Sequence, residues 1–159
     1  MAGSISRRAR DRRAIAVVDL AAGCDSPSGA REPLLEALGD VPPDGVLEVR
    51  FGFDPSVLIA TLAERGFRAE VGVRDEAHWV LSVRARGAPE ILDLRGLEAP
   101  EPLERILEAS AALAPGAALL ARTPRLPRML LPQLERRALA WEAIEEPDGS
   151  GLIWVQRPH

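Results

Sequence analysis

The chain has 159 residues, 47% of them apolar, a formal net charge of -4 and one cysteine. That length suits one ordinary domain or two very small ones, and no apolar run approaches the ~20 residues that a membrane-spanning helix needs. A single cysteine excludes an intramolecular disulfide and a cysteine-rich zinc site, two histidines argue against a histidine-based metal site, and the acidic balance argues against nucleic acid as the general partner. All twenty basic residues are arginine. We read this as a compositional bias of the coding sequence, not as phosphate recognition.

Residues 1–13, with Arg7, Arg8, Arg10, Arg12 and Arg13, read as a basic, disordered arm. The apolar stretch Ala14–Val18 and the following Leu20-Ala21-Ala22-Gly23-Cys24 imitate a lipoprotein leader. Asp19 breaks that run after five residues, short of the ~7–15 that a leader requires. Ile15–Leu20 therefore reads as a strand.

A helix is expected at Ala30–Leu38 and a strand at Val46–Phe51. A second helix is expected at Asp54–Arg65, with Asp54 as its cap, Pro55 in its first turn and Gly66 as its stop. Phe67–Arg74 and His78–Ala85 alternate as a closing hairpin. Arg86-Gly87-Ala88-Pro89 marks a boundary. After it come strands at Glu90–Leu94 and Ala117–Arg122, helices at Glu101–Leu113 and Leu126–Arg137, and a hairpin of Ala140–Glu146 and Gly151–Arg157. Pro147-Asp148-Gly149-Ser150 makes the hairpin turn. The three tryptophans, Trp79, Trp141 and Trp154, fall on hairpin strands, where the plain reading is that they pack in the core.

The two halves repeat. Asp19-Leu20 matches Asp93-Leu94, and Glu32-Pro33-Leu34 matches Glu101-Pro102-Leu103. Leu47-Glu48-Val49-Arg50 matches Leu119-Leu120-Ala121-Arg122. Leu62-Ala63-Glu64-Arg65-Gly66-Phe67 matches Leu134-Glu135-Arg136-Arg137-Ala138-Leu139. The expected organisation is an arm at 1–13, one domain at 14–86 and a second at 87–159, with a longer first loop in the first copy.

The stretch Leu92-Asp93-Leu94-Arg95-Gly96-Leu97-Glu98-Ala99-Pro100-Glu101-Pro102-Leu103 resembles the sulfur-carrier family TusA (SirA-like), and most closely its relatives the DUF2249 proteins. The resemblance implies an α+β fold of two tandem TusA-like β-α-β-α-β-β two-layer sandwiches. It also implies a setting in sulfur, redox or nitrogen-oxide metabolism. In the sulfur carriers a reactive cysteine precedes the first proline, as Cys-Pro-x-Pro, where the start of a helix favours a thiolate. Here that place is Ala99, so the second copy cannot hold sulfur in that way.

The expected function is thus a non-catalytic binding or docking module with no cofactor and no metal. Its ligand-binding residues would lie in the loops between first strand and first helix: Arg95, Glu98, Pro100 and Glu101 in the second copy and Ser26 in the first. Arg95 is expected to pair with Glu98 or Glu101. The expected partner is another protein or a small anion, with a homodimer as one arrangement, in the cytoplasm and not at a membrane. The alternative is a sulfur carrier acting through Cys24, which lies within two residues of the family's cysteine position and is the weak candidate for a catalytic residue. The structurally plain reading of Cys24 is an incidental loop cysteine.

Overall fold

A computed structural model of the chain describes residues 4–7, 13–76 and 78–159. The chain divides into two compact units. The first is Ala14–Ala88; the second is Pro89–His159 together with the N-terminal stretch up to Arg13.

In chain order the strands and helices are β1 (Ser4–Arg7), β2 (Ile15–Asp19), α1 (Pro27–Ala37), β3 (Val46–Phe51), α2 (Ile59–Glu64), β4 (Phe67–Arg74) and β5 (Trp79–Ala85). The second unit continues with β6 (Ile91–Asp93), α3 (Glu101–Ala111), β7 (Ala118–Thr123), α4 (Leu130–Arg136), β8 (Ala140–Glu145) and β9 (Gly151–Gln156). The first sheet has the order β2-β3-β5-β4, and the second has β6-β7-β9-β8 with β1 added beyond β8. In each sheet the first two strands are parallel and the closing hairpin is antiparallel. Each unit is thus a β-α-β-α-β-β sandwich of two layers, and the fold is α+β.

Alternation along the strands selects the face that the helices cover. In the first unit Leu47, Val49 and Phe51 of β3 and Leu81 and Val83 of β5 form one cluster with Ala30, Leu34 and Ala37 of α1 and Leu62 of α2. The helical members recur at four- and three-residue spacing, which places them on one stripe. In the second unit Leu119 and Ala121 of β7, Trp141 and Ala143 of β8, and Ile153 and Val155 of β9 cluster with Ile106 of α3 and Leu130, Leu131 and Leu134 of α4. Each such buried Leu, Ile, Val or Phe side chain contributes about 1.5–3 kcal/mol of transfer free energy. Trp141 therefore is core beneath the helices. Trp79 packs half-buried at the edge of the first cluster, with the Arg74 guanidinium 4.7 Å from its ring centroid. Trp154 is fully buried on the sheet face opposite to Ile153 and Val155.

The strands lie within a residue or so of where the sequence puts them, but the helices differ. The first begins at Pro27, not at Ala30. Ser26 caps it, its Oγ accepting from Gly29 N at 3.3 Å, and Pro27 opens the first turn. Pro33 then lies inside α1 as its seventh residue, whereas Pro102 is the second residue of α3. The Glu-Pro-Leu match between the copies thus falls at different helical positions.

The second helix of each unit is shorter than expected. Asp54 turns the chain by accepting from Ser56 N and Ser56 Oγ (3.0 and 2.6 Å), and a 3-10 turn, Ser56–Leu58, precedes α2. Leu126–Met129 likewise stay outside α4.

Within the stretch read as a disordered arm, Ser4–Arg7 pair antiparallel with Trp141–Ile144 as β1. Four residues suffice to cover backbone groups that an edge strand would otherwise expose. Residues 1–3 and 8–12 of that stretch lie outside the described residues.

Candidate functional site

The parallel strands of the second unit end side by side, Asp93 of β6 opposite Arg122 of β7. The loop from β6 to α3 leaves from this point and is pinned along its length. Leu94 N donates to Arg122 O at 2.8 Å, Leu97 N to Leu94 O at 3.1 Å, and Glu101 N to Glu98 O at 2.9 Å. Leu94 and Pro102 are buried and anchor its two ends.

Asp93 closes the loop from the strand side. Its Oδ1 accepts from Arg95 N at 3.1 Å and from Arg95 Nε at 2.9 Å, and its Oδ2 accepts from Arg95 Nη2 at 2.7 Å. The forked guanidinium thus grips both carboxylate oxygens. These bonds hold the Asp93 carboxyl below the usual carboxylate range, against an opposing contribution from partial burial, and they raise Arg95 in turn. The sequence pointed to Glu98 or Glu101 as the partner of Arg95, and the structure gives Asp93 instead. A turn that already binds the Arg95 N–H places the side chain beside the same carboxylate. Glu101 pairs with Arg105 at 3.2 Å, one helical turn on.

Glu98, Ala99, Pro100 and Glu101 come together, with Glu104, Arg105 and Glu108, around a surface hollow of about 520 Å³. Ala99 is exposed at its rim, and the Ala99–Pro100 peptide is cis. The hollow has four carboxylates against one guanidinium, and Arg95 is turned toward Asp93. This arrangement favours a cationic or hydrogen-bond-donating contact over a small anion.

The first unit repeats the design with other residues. Asp19 lies opposite Arg50, Leu20 N donates to Arg50 O at 2.9 Å, and Asp19 Oδ1 accepts from Ala21 N at 2.9 Å. The longer loop then runs through Cys24, whose N–H donates to Leu20 O at 3.2 Å. Cys24 is a free, half-buried thiol. With Ala21, Ala22, Gly23, Asp25 and Gly52 it lines a pocket of about 350 Å³. Ser26, two residues on, is committed to capping α1. The site residues read from the sequence therefore fall into two groups: Arg95, Glu98, Pro100 and Glu101 in the second unit, Cys24 and Ser26 in the first.

Sequence reasoning missed the buried pair of Arg122 and Glu146, whose Nη1 and Oε2 are 3.1 Å apart with both side chains at most 2% exposed. A charged residue ending the apolar run Ala117–Ala121 was the available signal. His78 lies on the β4–β5 turn with Nδ1 4.0 Å from Asp75 Oδ2. Among the described residues no group of three or more His, Cys, Asp or Glu side chains is arranged to hold a metal ion, and no helix is long and apolar enough to cross a membrane.

The strand, pinned loop and proline-started helix of the second unit coincide with a family match: the family described as an uncharacterized conserved protein (DUF2249) matches residues 91–157. The second unit is similar to that family over nearly its whole length. The match runs from the first residue of β6 to just past β9, so the matched stretch includes the whole β6–α3 loop and its hollow. No curated protein and no solved structure matches the chain.

Proposed function

We propose that the chain is a non-catalytic docking module, built of two tandem TusA-like copies, that holds a partner at the β6–α3 loop of its DUF2249 domain. The observation that carries this reading is the exposed Ala99 at the place where the sulfur carriers keep their cysteine. The loop around it is rigidly held and ringed by Glu98, Glu101 and Glu104. A pinned loop with a methyl group where a nucleophile would stand can recognise but cannot transfer sulfur. The resemblance to the sulfur carriers suggests a cytoplasmic setting in sulfur, redox or nitrogen-oxide metabolism, and the carboxylates suggest a protein partner with a basic surface. The repeated Asp–Arg strand ends and pinned loops support the two-copy reading. A photoreactive residue in place of Ala99, introduced in the cells that make the protein, tests the docking surface. It should crosslink to one discrete protein, and Glu98→Arg should remove the product. No crosslink, or one indifferent to Glu98→Arg, would overturn the assignment.

A second reading is favoured by the Cys24 thiol and its pocket. In it the first unit carries sulfur as a Cys24 persulfide. A Cys24→Ser protein that retained all sulfur transfer would remove this reading.

A further inference from the structure

The two helices of the second unit carry charge of opposite sign on their outer faces. On α3 the buried positions are Pro102, Ile106 and Ser110. The outward stripe of Glu101, Glu104, Arg105 and Glu108 recurs at three- and four-residue spacing. Arg105 is taken by Glu101, which leaves Glu104 and Glu108 exposed and without an ion-pair partner among the described residues. On α4 the inward residues are Leu130, Leu131 and Leu134. Arg128, just before the helix, and Arg136, in its last turn, are exposed outside it, with Glu135 between them and Arg125 and Arg137 flanking. None of these four arginines has an ion-pair partner among the described residues, although Glu145 and Asp148 border the hollow beside Arg125 and Arg128. Met129 lies in the same stripe, 77% exposed, an apolar side chain of the kind enriched in interfaces. The first unit shows no such division. Its α1 carries Arg31, Glu32 and Glu36 together, and its α2 ends in Glu64 followed by Arg65.

A two-fold contact requires a surface complementary to itself. Helices α3 and α4 follow parallel strands and contact each other. A two-fold axis lying between them and along them carries α3 of one copy over α4 of the other. We infer that the chain self-associates through this helical face. In that dimer Glu104 and Glu108 of each copy meet Arg128 and Arg136 of the second, around the two Met129 side chains. This contact shares Glu104 with the rim of the docking hollow but needs none of Arg95, Glu98 and Ala99, so crosslinking at Ala99 and the sedimentation of charge-swapped variants fail separately.

Sedimentation of the full chain with two charge-swapped variants tests this. One variant is Glu104→Arg with Glu108→Arg; the other is Arg128→Glu with Arg136→Glu. All four positions are exposed, and circular dichroism checks that each variant stays folded. The wild type should dimerise at low salt, and its dimer should weaken by about tenfold or more when salt shortens the screening length to ~3 Å. Each variant alone should be monomeric, and an equimolar mixture should restore the dimer, because a basic α3 then meets an acidic α4 and the reverse. A wild-type chain that is monomeric at low salt would overturn the inference. So would a variant that still dimerises alone, or a mixture that fails to associate. If a swap unfolds the chain, Glu104→Gln with Glu108→Gln serves instead, and an unchanged dimer would then overturn it.

Discussion

Arg122 and Glu146 show how much a single pair can matter. Both are buried, and removing one takes an ion-pair partner from the other in a poorly solvated place. Arg122→Met should therefore destabilise the chain by about 3–5 kcal/mol, as read by denaturant unfolding. Asp93 makes the contrasting, exposed case. Its carboxyl is held down by Arg95, so the folded state keeps it ionised to lower pH than the unfolded chain does. Its contribution is complete above the unfolded carboxylate value of ~3.9 and is lost as pH falls through the lower, folded one. The stability difference between wild type and Asp93→Asn should thus be constant near neutrality and vanish on acidification, as unfolding followed against pH would show. A difference that grew on acidification would contradict the Arg95 assignment. Neither pairing was legible in the sequence, because each depends on how strands and turns bring residues together. The Asp93-Leu94 and Asp19-Leu20 match was visible, but not that each aspartate ends a strand opposite an arginine.

At the scale of elements, repetition within the chain was the most useful guide, and it was also the source of the largest error. It aligned Gly66 with Ala138, and both adopt positive φ, 85° and 58°. Left-handed backbone costs a residue with a Cβ about 1–2 kcal/mol. Ala138→Gly should therefore stabilise the chain by about 0.5–1 kcal/mol, net of the added freedom of the unfolded state. Gly66→Ala should destabilise it by about 1 kcal/mol, since a Cβ there meets open space and only the backbone strain is felt. Thermal unfolding of the two variants reads both signs. The same repetition misplaced the start of α1, because aligning Pro33 with Pro102 outweighed the local signal of Ser26-Pro27. Strand boundaries were read well because period-two alternation on a half-covered sheet is a strong constraint. The shorter α2 and α4 were not, because Asp54 and the Pro124–Pro127 stretch turn the chain before a helix can start.

For the whole molecule, the order of elements was legible from the sequence, and both units fold as β-α-β-α-β-β sandwiches. The site was legible only in part. Arg95, Glu98, Pro100 and Glu101 do share one loop, but whether Cys24 takes up the work that Ala99 cannot do is a matter of chemistry. A resemblance to sulfur carriers in one loop does not by itself confer sulfur transfer. In the docking reading Ala99 is a contact position and Cys24 an incidental thiol.

The intact mass of the reduced protein, followed in time with a persulfide donor beside Cys24→Ser and beside the chain unfolded in denaturant, tests this most directly. The account predicts that the folded chain gains sulfur no faster than the unfolded one, with nothing gained by Cys24→Ser. A rapid gain of one sulfur atom, confined to the folded chain and dependent on Cys24, would contradict it and place an active carrier in the first unit.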